Sequence, residues 1–444
     1  MFRQGTIAGV ESAEVLRQLI RHACVNDGSG AAQEEANADL LLSLISVPGV
    51  DVVRVEAAPG RPSFVARWPG RDRSAPALML LGHTDVVPAD PTRWDRDPYS
   101  GDLIDGWVWG RGALDMLGHM ATMALAFRDL TAAGRHLPGD VVFVAVADEE
   151  ALGTYGMDYL LRTQPDAMQA DWILGESGGA RIGNPPALGV LTAEKGAWRV
   201  ELRITSAPGH SSLPRDLHSA VEIAALAVTR LAHAEGPVTL SPEYQETVRS
   251  GFLPEIIDAA LNPELLPILI QRLPAPMARL LHALTRTTVS PTGITTPGSW
   301  NTLGSHAVVT LDVRSVPGAT WEQVHDLIEL SLGELNTHVD IALIERGLST
   351  ASPTGTELWD IVERASQSIV PGSRLVPTMA PGITDSRFMR ERGAIAYGVG
   401  LYSDKLSPLD MVTMLHGDNE RVDVESIALM QSLWSNIFDI YDSR

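Results

Sequence analysis

Short runs of continuous apolar residues alternate along the chain with longer stretches in which apolar positions recur every three or four residues. VESAEVLRQLIRHACV and EEANADLLLSLISV, within residues 11–47, have the latter spacing, which predicts a pair of amphipathic helices. ALMLLG (77–82), VVFVAVA (141–147) and DWILGE (171–176) are apolar without alternation, as strands covered on both faces are. Between the first two, MLGHMATMALAFRDLTAAG reads as a helix. Strands of this kind separated by helices predict an α/β fold around a mostly parallel sheet.

Near Lys195 the pattern changes. WRVELRITS (198–206) alternates like a half-exposed strand and is followed by the amphipathic segment DLHSAVEIAALAVTRLAHA. AVVTLDVRS, a helix over 320–333 and HVDIALIERG repeat the strand–helix–strand theme. These residues, 197–347, predict an inserted α+β domain, leaving 1–196 and 348–444 to form the main domain. The middle of the insertion, about 242–298, is rich in Leu and Pro and adds helices to it. After residue 350 the pattern predicts a helix, a strand (AIAYGVGLY) and a closing helix (VESIALMQSLWSNIFDIY).

With 444 residues, 45% of them hydrophobic, the chain is long enough for two cores. A formal net charge of −21 argues against nucleic acid or an anionic membrane as partner. Cys24 is the single cysteine, so neither an internal disulfide nor a thiolate metal cluster is available. The N-terminal residues lack the long apolar core of a signal peptide, and no apolar run reaches the roughly 18–20 residues of a membrane helix. The expectation is a soluble, cytoplasmic protein.

Acidic and histidine residues follow the ends of the expected strands, the edge at which open α/β sheets bind ligands. GHTDVVP places His83 and Asp85 after the first such strand, as a metal ligand with its orienting carboxylate or as a hydrogen-bonded core histidine. Asp115, in a Gly-rich turn before a helix, suits a helix N-cap or a carboxylate bridging two cations. VVFVAVA ends in Asp148-Glu149-Glu150, either a solvated turn or one metal ligand beside a general base. Glu176 follows the next strand and His416 precedes the last helix. Two imidazoles with several carboxylates suit two divalent ions, zinc first and manganese or cobalt next. Two such ions about 3.5–4 Å apart can hold a water and polarise a carbonyl.

HTDVVP, GRGALDM, the acidic triplet, GES and HGDNERV, taken in order, resemble the M20 metallopeptidases, a family of aminoacylases, carboxypeptidases, dipeptidases and desuccinylases. Within it, the Leu-rich insertion and the segment TRTTVSPTGITTPGSWNTLGSHAVVTLDVRSVPG look most like the carboxypeptidase S and N-acyl-amino-acid hydrolase branch. The resemblance implies a zinc-peptidase catalytic domain with an inserted α+β lid. It further implies that Asp115 bridges two ions, that His83 and Glu176 complete one site, and that Glu150 and His416 complete the other. Glu149 would be the general base and Asp85 would orient His83. In the lid, His210 would stabilise the oxyanion, while Asn301 and Arg314 would hold the substrate, the arginine reading a carboxylate. Gly382 and Thr384 would line the substrate pocket.

The implied substrate is a small peptide or an N-acyl amino acid, cleaved at an amide bond next to a free carboxylate. A homodimer through the lid is also implied, although the long insertion would block or replace that surface, so monomer and dimer both stay open. The chain departs from the family pattern at Leu117, where a lysine is usual, and at Ile383, where a glycine is usual. The second departure touches the substrate pocket. Two rival readings accompany this one. Gly175-Glu176-Ser177-Gly178-Gly179 matches the nucleophile elbow of serine hydrolases, but Gly- and Pro-rich sequence follows where that elbow needs a helix. The other is a catalytically silent scaffold of the same fold.

Overall fold

A computed structural model describes residues 2–183, 186–214, 218–249 and 254–444, with side chains from residue 9 onward except at 254. The three continuous apolar runs are strands, Leu78–His83, Val141–Val146 and Trp172–Gly175, and every residue in them is buried. Together with Ile395–Gly398 they form the parallel centre of a ten-stranded sheet. Side-chain alternation sends Leu80 and Phe143 to one face, where they meet the helices Leu117–Ala132 and Val424–Asp442 through Leu130 and Trp434. Met79, Leu81, Val142 and Val144 go to the other face and meet Met157, Leu160 and Met389. Two covered faces explain why these strands carry no polar alternation.

Antiparallel strands Asp51–Glu56 and Pro62–Trp68 extend one side of the sheet. Ala187–Glu194, Arg374–Ala380 and Thr350–Ala351 extend the other. The hydrophobic pattern did not single out these flanking strands. Pro62 and Pro377 lie inside two of them, and Gly189 inside a third. The first helix reaches back to Phe2, and the strand expected within AIAYGVGLY is confined to Ile395–Gly398.

Gly196–Thr205, Thr288–Thr295, His306–Ser315 and Val339–Gly347 form a separate antiparallel sheet of four strands. Its inward residues Trp198, Val200, Leu202 and Ile204 pack with Ile223 and Ile328 from the helices Ala220–Leu231 and Trp321–Leu332. Thr320 caps the second of these helices with a reciprocal Gln323 bond. The start of the helical segment expected over DLHSAVEIAALAVTRLAHA, residues 216 and 217, lies outside the described residues.

The Leu- and Pro-rich segment does form helices, Pro242–Thr247, Ile257–Ala260, Leu266–Ile270 and Ala275–Leu284. They share an apolar cluster with Ala193 and Met379 of the ten-stranded sheet. Thr247 also donates to the Pro377 carbonyl at 2.7 Å. The insertion thus leaves the four-stranded sheet and anchors on the larger one. Among the described residues no helix is long and apolar enough to cross a membrane.

Candidate metal and catalytic centre

His83 closes its strand, the acidic triplet follows Val146 and Glu176 follows Gly175, so parallel pairing delivers all of them to one sheet edge. Asp115 and His416 arrive from loops over that edge. The two oxygens of Asp115 face different imidazoles: Oδ1 lies 3.2 Å from His83 Nε2 and Oδ2 lies 3.2 Å from His416 Nε2. Glu176 stands 3.6 Å from His83 Nε2, and Glu150 stands 3.2 Å from His416 Nε2. Glu149 reaches to 4.0 Å from His83 Nε2. The N-cap alternative for Asp115 is not what the fold adopts, because Met116 occupies the cap position of the Leu117–Ala132 helix.

The electrostatics follow from burying four carboxylates together. Burial and the neighbouring Glu176 charge hold the Glu149 carboxyl well above the usual carboxylate range. Burial pushes Glu176 up to about 8. For His83, burial opposes the charged ring, but hydrogen bonds to Asp115, Asp85 and Glu176 outweigh it and raise its pKa well above the usual value. His416 is pushed up to about 10 by Asp115 and Glu150. One oxygen of Glu150, Oε1, is buried with no hydrogen-bond partner among the described residues. Ligand atoms of His83, Glu149 and Glu176, and of His83, Asp115 and Glu150, lie within 4.8 Å of one another. Crowded carboxylates, an unsatisfied acceptor and two imidazoles form a donor set that divalent cations fit.

Asp85 acts differently from the simple His–Asp pair. The nearest partner of His83 Nδ1 is the Asp85 backbone carbonyl at 3.0 Å, with the carboxylate at 3.4 Å. That carboxylate instead accepts from the backbone N–H groups of Glu149 and Glu150, at 3.3 and 3.2 Å, and from Asn26 Nδ2 at 2.9 Å. Behind the turn, buried Arg61 bonds both Glu34 and Asp148, at 2.5 and 2.8 Å. Asp148 itself has the left-handed φ of 69° that starts the turn.

Of the expected substrate-binding residues in the insertion, Arg314 shares a cleft of about 270 Å³ with Glu150 and Leu152. Its Nε donates to both Asp312 oxygens, at 2.9 and 3.1 Å. His210 and Asn301 lie side by side where Gly209–His210 pairs with Thr302–Leu303. Ser212 occupies His210 Nδ1, and Ser299 donates to Asn301 Oδ1. Thr384 is buried; its N–H donates to Glu194 at 2.6 Å and its hydroxyl accepts from Ser386. Gly382 has open space at its Cβ position, and Ile383 lines a cleft with Leu152 and Phe388. Ser177 sits at φ 71° and leads through glycines to the strand Arg181–Ile182, so no helix follows it as a nucleophile elbow requires; residues 184 and 185 lie outside the description.

Several residues of the centre escaped the motif reading. Asn26, Glu34 and Arg61 belong to no motif and meet the site only through the fold. Asp385 is buried with neither carboxylate oxygen partnered among the described residues, and burial pushes it up to about 7. It lines a small void with His83 and Glu176, and the GITD segment was its only sequence signal. Glu420, inside HGDNERV, is fully buried and accepts backbone bonds from the Asp115 loop.

A family model described as peptidase family M20/M25/M40 matches residues 79–439. The N-fatty-acyl-amino acid synthase/hydrolase PM20D1 of Xenopus tropicalis is 27% identical over 400 residues, spanning 86% of this chain and 75% of that protein. A succinyl-diaminopimelate desuccinylase of Cereibacter sphaeroides is 27% identical over 440 residues, spanning 97% and 99%. Among solved structures, human carnosine dipeptidase 1 superposes with a TM-score of 0.73 at 16% identity, over 100% of this chain and 98% of that one. The M20 family metallo-carboxypeptidase Sso-CP2 of Sulfolobus solfataricus gives 0.72 at 18% identity, over 98% and 100%. With a matching family model across most of its length and the ordered metal-ligand motifs gathered at one sheet edge, the chain belongs to peptidase family M20/M25/M40 and is a metal-dependent hydrolase.

Proposed function

We propose that the protein hydrolyses the amide bond of an N-acyl amino acid or small peptide bearing a free carboxylate, with two divalent ions held by His83, Asp115, Glu150, Glu176 and His416. The observation that carries this reading is the placement of two imidazoles on the two oxygens of Asp115, each at 3.2 Å. When bound, the ions would polarise the scissile carbonyl and ease ionisation of a water. Zinc fits two imidazoles and carboxylates best, with manganese and cobalt as alternatives.

Glu149 takes the proton from the attacking water and delivers it to the leaving amine. Its N–H bond to Asp85 fixes the start of the turn, and its exclusion from solvent suits a base that must hold a proton mid-reaction. Arg314, across the cleft from Glu150, binds the substrate carboxylate by exchanging its Asp312 partner. His210 meets the reacting carbonyl and Asn301 holds the substrate after residues 197–347 close as a lid over the remainder, or from a second copy paired through that lid. The names of the Xenopus and Cereibacter relatives refer to an N-fatty-acyl-amino acid and to succinyl-diaminopimelate, both acylated compounds, which favours N-acyl amino acids over dipeptides.

Rates for N-acyl amino acids and dipeptides, each compared with its carboxamide, test the reading. Free acids should exceed their amides by at least about tenfold in kcat/KM, one ion contact at the low end. Equal rates for acid and amide would remove carboxylate recognition from the function.

A further inference from the structure

The loop carrying Asp115 and the loop carrying His416 come from opposite ends of the chain, yet a single buried carboxylate ties them together. Glu420 Oε1 accepts from the N–H of Leu114 at 2.7 Å and of Asp115 at 3.2 Å. Oε2 accepts from the N–H of Gly112 at 3.1 Å and from Arg111 at 2.8 Å. The other arm of the Arg111 guanidinium reaches back to the Gly417 carbonyl at 2.9 Å, one residue beyond His416. The same guanidinium stacks over Trp94, and both side chains of the pair are sealed from solvent, at 3% and 0% exposure.

Backbone pairing holds this arrangement in register. Arg421–Asp423 runs antiparallel to Trp107–Trp109, and Gly110 N–H donates to the Glu420 carbonyl at 2.9 Å. Gly417 allows the His416 turn to close, since a Cβ there would sit 2.1 Å from the Thr413 carbonyl.

We propose that Glu420 and Arg111 form a clamp that sets the distance between Asp115 and His416, and that it acts as a positioning device for the ion held by Asp115, Glu150 and His416. This rests on the two-ion reading above. The clamp touches Asp115 through its backbone and His416 through the adjoining peptide. His83 and Glu176, by contrast, stand at the ends of fully buried strands that Glu420 does not contact. His416 is half-exposed and stands on a left-handed turn, so its position depends on the residues that follow it. Loss of the clamp should therefore weaken one ion site selectively. Partners lying outside the ligand set commonly change metal affinity by about 10–100-fold.

Zinc titration of the metal-free full-length protein by calorimetry, with bound metal counted by elemental analysis, tests this. Wild type should take up two ions. Glu420→Gln keeps the side-chain volume but sets an amide against Arg111 and three backbone donors. It should bind one ion within about threefold of wild type and the other about 10–100-fold more weakly. Its activity should return at high zinc with an unchanged KM, which a general loss of folding would not allow. Arg111→Lys keeps the charge beside Glu420 but cannot span to the Gly417 carbonyl. It should shift the same ion, and it decides the question if Glu420→Gln does not fold. Two ions bound with wild-type affinities, or both weakened equally, would overturn the clamp. A wild-type protein that binds no zinc would instead overturn the two-ion reading itself.

Discussion

Asp115 sets the spacing of the centre because its two oxygens serve different histidines, 3.2 Å away on either side. Glu149 approaches His83 only to 4.0 Å, farther than Asp115 or Glu176, and burial raises its proton affinity as it does at Glu150 and Glu176. Glu149→Gln should thus lower kcat by about 10²–10⁴-fold, the usual contribution of a positioned base, while bound metal stays at the wild-type level. Near-normal turnover in a metal-loaded variant would rule out that role. Arg314→Ala should raise KM for free-acid substrates by about tenfold or more and leave their carboxamides unaffected. The ligand candidates were legible because each stands in a short motif, at a strand end for His83, Glu150 and Glu176 and in a loop for Asp115 and His416. What was not legible was support from a distance. Asn26 meets Asp85 and Asp148 across 59 and 122 residues, and no local spacing announces such a contact. The alternative between cap and bridge at Asp115 also needed the position of His416, which arrives from the far end of the chain.

The strand Ala187–Glu194 continues almost directly into Gly196–Thr205, so Glu194 and Lys195 stand where the two sheets join. Glu194 is buried and bonds Arg390 at 2.7 Å, Thr350 at 2.6 Å and the Thr384 N–H at 2.6 Å. Removing one partner of a buried pair strands the other charge, so Arg390→Met should cost about 3–5 kcal/mol in urea unfolding. Lys195 is equally enclosed and donates to the carbonyls of Ala283 and Arg286, at 2.7 and 2.8 Å. Burial pulls its ammonium down to about 7. Unfolded, it would titrate near 10.4, so between these values the unfolded chain binds the extra proton. Stability from this group is present at high pH and lost as pH falls through about 7. Lys195→Met should flatten the rise in unfolding free energy between pH 7 and 9.5 by roughly 2–3 kcal/mol. An unchanged pH profile would show that Lys195 stays charged in the fold. The three central strands stood out as continuous apolar runs, whereas Ala187–Glu194, though wholly buried, and Arg374–Ala380 did not, because Gly189 and Pro377 interrupt their apolar runs.

At the scale of the molecule, the α/β class and mostly parallel centre were legible because alternating helices and apolar runs leave few other arrangements. The Leu- and Pro-rich insertion was read as helical but not as a brace. Its docking surface, Ala193 and Met379, comes from strands on either side of it in sequence, and the helical pattern does not name that partner. The consequence concerns motion. The four-stranded sheet joins the larger one at the paired crossings of Ala197 and Gly347, while the inserted helices pin it from the side. The closure proposed for residues 197–347 over the cleft between Glu150 and Arg314 would turn about those crossings.

Everything in this account depends on the acidic cluster holding ions that the reaction needs. The most direct measurement is the metal content of the purified protein, paired with hydrolysis of N-acyl amino acids before and after chelation. About two divalent ions per chain are expected, with activity abolished by chelation and recovered on adding zinc, manganese or cobalt. Hydrolysis that survives complete removal of metal would contradict it.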